Sequence, residues 1–259
     1  MTELGRTFAI TAFAALAAAL LLGSSAAADA ATAADRTLLA ASDLFAAAPA
    51  EFRAELEIRR LGETAGARLE IFHQGRDLEL VRFLAPRELG KYLLRRFGKL
   101  YFLAPGSARP VELAPSYRVQ GAALQELLGL DLARDYDIET VHEEAGIATF
   151  ELVAKTPNAA APRLRWVVSR KTRRPLRADL QSSSGKVLRV VEPKAWRDAA
   201  RGVPELLVVK DVVSGGAPIE IRFQSFEPGP VDPLLFSLDN GAARRSLSAG
   251  PAAKRSPSP

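Results

Sequence analysis

From Glu51 onward, apolar positions recur at every second residue. Ala54, Leu56 and Ile58 alternate with Arg53, Glu55, Glu57 and Arg59. A turn over 62–66 separates them from Ala67, Leu69 and Ile71, which alternate with Arg68 and Glu70. After Gln74-Gly75, Leu78 and Leu80 alternate with Asp77 and Glu79. The rhythm continues through Leu100 and Phe102, Val111 and Leu113, Phe150 and Leu152, then Leu164, Trp166 and Val168, and Leu176, Ala178 and Leu180. It ends with strands at Val187–Val191, Leu206–Val213 and Ile219–Phe223, the last two joined at Ser214-Gly215-Gly216. A period of two places alternate side chains on opposite faces, so each segment predicts a strand with one apolar and one wet face. About eleven strands with turns every 8–15 residues predict an antiparallel barrel or strongly curved sheet. No strand–helix–strand rhythm appears, which argues against a parallel α/β fold.

Two segments have helical spacing instead. Thr32 and Asp35 fit an N-cap and its N3 partner. Leu38, Ala41, Phe45 and Ala48 then share one helical face, and Pro49 stops the helix. The stretch from Gly121 to Gly129 holds good helix formers and no β-branched residue, with Leu124, Leu127 and Leu128 on one face. It predicts a short helix carried in a long loop. So short a helix is marginal alone and must dock on an apolar surface. It is either a lid over the sheet's open mouth, with glycine hinges, or a static plug.

The first residues read as a targeting segment. Arg6 precedes an apolar run from Phe8 to Leu22, and Ala28-Asp29-Ala30 forms a small-residue cleavage site using Ala28 and Ala30. The run is about 15 residues, against the ~20 needed to span a bilayer, so cleavage is favoured over a retained anchor. No cysteine follows it, so the chain is not lipidated there. The expected organisation is a signal peptide over 1–30, a folded domain over 31–240, and a disordered basic tail over 241–259. That tail carries Arg244, Arg245, Lys254 and Arg255. With them set aside, little of the net charge of +5 belongs to the folded part, which argues against nucleic-acid binding.

Catalytic chemistry is scarce. With no cysteine and only two histidines, His73 and His142, thiolate metal sites, disulfides and histidine-rich clusters are excluded. Neither histidine lies near a nucleophile elbow. Glu143 and Glu144 are adjacent on a strand and so point apart, reading as a solvated turn. Arg170-Lys171-Thr172-Arg173-Arg174 reads as a charged hairpin loop. No catalytic residue, cofactor or metal is assigned, and the chain is not read as an enzyme.

What remains is the apolar face of a large curved sheet. Leu56, Ile58, Leu69, Ile71, Leu100, Phe102, Phe150, Leu152, Leu164, Trp166, Ile221 and Phe223 share one period-two phase and are expected to face the concave side. Such a surface either packs upon itself or lines a cavity suited to an acyl chain, with Trp166 and Phe102 touching the ligand.

Several motifs add a resemblance. Leu84-Ala85-Pro86, Leu93-Leu94-Arg95, Gly98–Pro105, Arg109, Pro115–Gly121 and Gly129-Leu130-Asp131 follow one another in the order and spacing of the outer-membrane lipoprotein-sorting (LolA-like) proteins of Gram-negative bacteria. Arg170–Pro175 with Ser184–Val187 resembles that family's later strand pair. The chain departs from the pattern at Ala104 and in the shortened Gly129-Leu130-Asp131, and no residue matches the family's lid-locking arginine. The resemblance implies a mainly β, α+β domain: an incomplete antiparallel β-barrel covered by an N-terminal helix and a lid helix, with an apolar cavity between. It implies a monomeric periplasmic carrier. Such a carrier takes lipoprotein acyl chains or another lipid from an inner-membrane transporter to an outer-membrane acceptor. The alternative is an envelope sensing module that has the same fold and binds lipid or protein without transporting it.

Overall fold

The computed structural model describes residues 31–105, 107, 109–114, 117–123, 130–157, 159–198 and 202–238. The proposed signal segment, the tail and the lid leucines Leu124, Leu127 and Leu128 lie outside these residues.

The chain begins with α1 (Ala33–Ala41), then runs through β1 (Glu51–Arg60), β2 (Ala67–Gln74), β3 (Leu78–Phe83), β4 (Tyr92–Arg96), β5 (Lys99–Leu103) and β6 (Val111–Leu113). A small hairpin follows, β7 (Arg118–Val119) with β8 (Ala122–Ala123), and then the one-turn helix α2 (Leu132–Asp135). The second run comprises β9 (Tyr136–Glu144), β10 (Ile147–Ala154), β11 (Arg163–Ser169), β12 (Pro175–Gln181), β13 (Val187–Asp198), β14 (Val203–Asp211) and β15 (Ile219–Pro228). All but the small hairpin join one 13-stranded antiparallel sheet, ordered β6-β5-β4-β3-β2-β1-β15-β14-β13-β12-β11-β10-β9. The first strand therefore pairs with the last, and β6 and β9 are the free edges. The sheet is open, an incomplete barrel with more strands than the alternation predicted. The additions are short strands and β9, whose half-exposed Asp137–Glu144 stretch lacks a clean apolar row.

Strand pairing sets many of these apolar residues side by side. Leu56 lies opposite Leu69 and Phe223, Ile58 opposite Ile221, Phe150 opposite Trp166 and Leu152 opposite Leu164. All the expected inward residues belong to one buried cluster, with Phe102 packed at its margin. Fully burying each such side chain contributes about 1.5–3 kcal/mol.

α1 is shorter than predicted. Its N-terminus is the expected capping box: Thr32 Oγ1 accepts from Asp35 N at 3.1 Å, and Asp35 Oδ2 accepts from Thr32 N at 3.0 Å. It ends at Ala41 rather than at Pro49, because Ser42 Oγ donates back to Leu39 O and accepts the Trp166 indole N–H at 2.9 Å. Phe45 then takes a left-handed φ of 67°, which no helix continues.

The wet face is not uniformly wet. On the convex side Leu80, Tyr92, Leu94 and Leu103 form a second cluster with Val231, Leu235 and Phe236, contributed by the segment after β15. Leu78 packs against this convex cluster too. On the same face Glu70, wholly buried, is clamped by Arg53 and Arg82, whose guanidinium groups lie 5.9 Å from the Phe72 ring. Conversely Glu79, in phase with Val81 and Phe83, is buried on the concave side rather than exposed.

Candidate functional site

A cavity of about 250 Å³ opens at one end of the concave face. It lies between the α1–β1 linker (40–50), the β2–β3 hairpin, β4 and the start of α2. Apolar walls come from Leu44, Phe45, Ala48 and Leu132, and polar ones from Asp43, His73, Arg76, Glu79, Arg95 and Asp131. The left-handed turn at Phe45 sends its ring back into the sheet, 5.6 Å from both Phe52 and Phe223. Phe52 in turn stacks on His73 at 4.5 Å and meets Phe226 at 4.8 Å. Phe45 and His73 therefore give the cavity its aromatic lining, with Phe52 behind both.

Beside it lies a buried ion group on adjacent strands. Glu79 of β3 stands opposite His73 of β2 and Arg95 of β4. Arg95 Nε donates to Glu79 Oε2, while His73 Nδ1 lies 3.1 Å from Oε1. Burial works to raise the Glu79 pKa, but the charge of Arg95 and the hydrogen bonds from His73 and Arg95 hold it below the ordinary carboxylate value. The pair is therefore ionised in the wall of the cavity.

Asp43 behaves in the opposite way. Its two carboxylate oxygens accept the backbone N–H groups of Leu130 and Leu132 at 3.1 and 3.3 Å, tying the α1–β1 linker to α2. Although the residue keeps some exposed surface, burial of its carboxyl pushes the pKa up to about 8, against the pull of those amides. Asp131 caps α2 by accepting from Arg134 N at 3.1 Å. Arg134 also reaches Asp77 and Asp135, at 3.1 and 2.8 Å, which knits α2 to the β2–β3 turn.

The inward residues chosen from sequence sit deeper than this cavity. None of them forms its wall, and apart from Phe102 each is at most 7% exposed. They form the packed floor of the concave face. Glu79 and Arg95 escape a sequence reading in which charge at a strand position means solvent, and Asp43 escapes it because it lies off the apolar face of the helix predicted to run to Pro49. In Leu78–Phe83 the alternation predicts Leu78 and Leu80 on the apolar side and Glu79 in water, and the structure reverses it: Leu78 and Leu80 pack on the convex cluster and Glu79 is buried on the concave side. His142 is exposed on β9, and His73 faces a carboxylate rather than a hydroxyl nucleophile. Glu143 and Glu144 lie exposed beside the Ala145-Gly146 turn.

No protein-family model matches the chain, and no curated protein matches its sequence. Solved structures do match. A LolA superfamily protein from Nitrosomonas europaea superposes with a TM-score of 0.64 at 17% identity, over 81% of this chain and 99% of its own. The chain has a LolA-like fold. An outer membrane lipoprotein-sorting protein domain from Vibrio parahaemolyticus aligns with a TM-score of 0.57 at 14% identity, over 76% of this chain and 91% of that one. A DUF1329 family protein from Desulfovibrio piger gives 0.56 at 15% identity, over 73% and 90%. Among the described residues of this LolA-like chain, no helix is long and apolar enough to cross a membrane.

Proposed function

We propose that the chain is an exported carrier for an acylated ligand, lipoprotein or lipid, held against the concave face of the open sheet. The observation that carries this reading is the cavity itself: an aromatic lining continuous with the apolar core, and a mouth bearing ionised groups. An amphiphile needs both. The LolA-like fold and the lipoprotein-sorting description of the Vibrio structure support the choice of ligand. Each methylene taken out of water contributes about 0.8 kcal/mol, so a long acyl chain gains far more from such a surface than a polar metabolite does.

The present volume lies just below the ~300–1,000 Å³ usual for ligand pockets. Entry of a full acyl chain therefore requires α1 and the 42–50 linker to move off the sheet. Asp43, which ties that linker to α2, is the natural restraint on the movement. The proposed organisation is a cleaved signal over 1–30, the carrier domain over 31–240 and a basic tail over 241–259, working in the periplasm between two membranes.

Mass spectrometry of lipid copurifying with the chain from a bacterial envelope tests this. Stoichiometric acylated species, together with transfer of a labelled acylated peptide to acceptor vesicles, are expected. Binding without transfer would favour the sensing module. A chain that copurifies with no lipid and leaves an acyl-chain fluorophore unquenched and unshifted would refute the reading.

A further inference from the structure

The Arg170–Arg174 hairpin is not used by the cavity, and its construction is unusual. It closes through Ser169 N donating to Arg174 O at 3.0 Å and Arg173 N donating to Ser169 O at 2.7 Å. This geometry holds Arg173 at φ 55°, a left-handed conformation in which glycine or asparagine would be less strained. A long cation therefore stands where the backbone prefers a small residue.

The surrounding charges are arranged to leave it uncompensated. Arg170 takes both nearby acids, Asp35 of α1 at 2.8 Å and Glu143 of β9 at 2.7 Å. Lys171 and Arg173 are exposed and have no acidic partner within ion-pair distance among the described residues, as is also true of Arg36 on the same turn of α1 as Asp35. Glu144 at the end of β9 opposes them. Arg174 lies over the Trp196 ring at 5.4 Å, and Leu176, two residues on, is 42% exposed. Two exposed cations and an exposed leucine beside a half-buried indole covered by a third cation match the chemistry of a membrane–water interface. The hairpin lies at the β9–β10 turn, where Arg170 N donates to Gly146 O at 3.0 Å, whereas the cavity takes Leu130 to Ala133 from the segment that leads into the opposite end of β9.

We infer that the β11–β12 hairpin, through Lys171, Arg173 and Arg174 with Leu176, docks the protein on an anionic lipid bilayer. The inference rests on the carrier reading for the choice of a lipid surface over an acidic protein.

Sedimentation of the full chain with vesicles of phosphatidylglycerol and phosphatidylcholine in equal parts, against phosphatidylcholine alone, tests it. Anionic vesicles should be preferred, and the preference should fade at about 1 M salt, where the Debye length is ~3 Å. Each charge removed from the hairpin should weaken association about fivefold. Lys171→Gln and Arg173→Gly are the variants. The second removes a cation while relieving the backbone, so it should raise thermal stability as vesicle binding falls, which a folding defect would not do.

A variant with Arg244, Arg245, Lys254 and Arg255 changed to serine separates the hairpin from the tail. The inference is overturned if the hairpin variants bind like the parent, if the tail variant alone abolishes binding, or if the parent ignores phosphatidylglycerol. Acyl-probe binding in vesicle-free solution should be unchanged in the hairpin variants. Loss of that binding with vesicle docking intact would sink the carrier reading and leave the docking surface standing.

Discussion

The two halves of the concave face solve the same burial problem differently. Around Phe150, Leu152, Leu164 and Trp166 the sheet is covered by α1 and packed with apolar side chains, and the Trp166 indole N–H is given to Ser42. Around His73, Glu79 and Arg95 the cover is a short linker, a cavity remains, and ions are buried beside it. The first half has the features of a core, and its residues report on stability. The second keeps space and charge where a denser packing of hydrocarbon would have served folding better, which is the behaviour expected of a site.

Substitutions should separate the halves. Trp166→Ala should cost about 3–5 kcal/mol in urea unfolding, with acyl binding lost only in proportion to unfolded protein. Selective loss of binding in a fully folded variant would move Trp166 to the functional half. Next in size, Glu79→Gln leaves the Arg95 guanidinium buried without its counter-ion and should lose about 3 kcal/mol at neutral pH. Because the Glu79 pKa is depressed in the fold, its contribution is present above the ordinary carboxylate value and is lost as pH falls through the depressed one. The variant should therefore show a shallower acid limb.

Asp43 should give the reverse slope. Its folded pKa of about 8 exceeds the unfolded 3.8, so the fold retains a proton that the unfolded chain releases, and stability falls as pH rises across that window. Asp43→Asn should flatten the slope in denaturation curves taken from pH 5 to 8. An unchanged slope would place the titration elsewhere. Smallest, Thr32→Ala removes one side of the α1 capping box and should cost about 1 kcal/mol by thermal melting.

The packed half was legible because each of its strands commits to one apolar phase: Leu56 and Ile58, or Leu164 and Trp166, permit one inward face only. The open half was not. Leu78–Phe83 is apolar in both phases because two cores claim it, and the second core is built by Val231, Leu235 and Phe236, which no local pattern links to β3. The α1 boundary was missed for a similar reason. Leu38, Ala41, Phe45 and Ala48 keep helical spacing, but a serine captured by a tryptophan 124 residues away ends the helix early. The capping box, by contrast, depends on two residues three apart and needed no tertiary information.

The pairing of β1 with β15 has a consequence for how the molecule comes into being. Glu55 N reaches Ser225 across 170 residues, and Arg170 reaches Asp35 across 135. A chain emerging from its N-terminus meets these partners last. Until β15 arrives, β1 presents a bare ladder of amide and carbonyl groups, and α1 lacks the strands that would bury it. High contact order of this kind slows folding and prolongs exposure of sticky edges. Nascent molecules therefore depend on being kept apart until their final strand is delivered, and truncations that remove β15 should aggregate rather than fold in part.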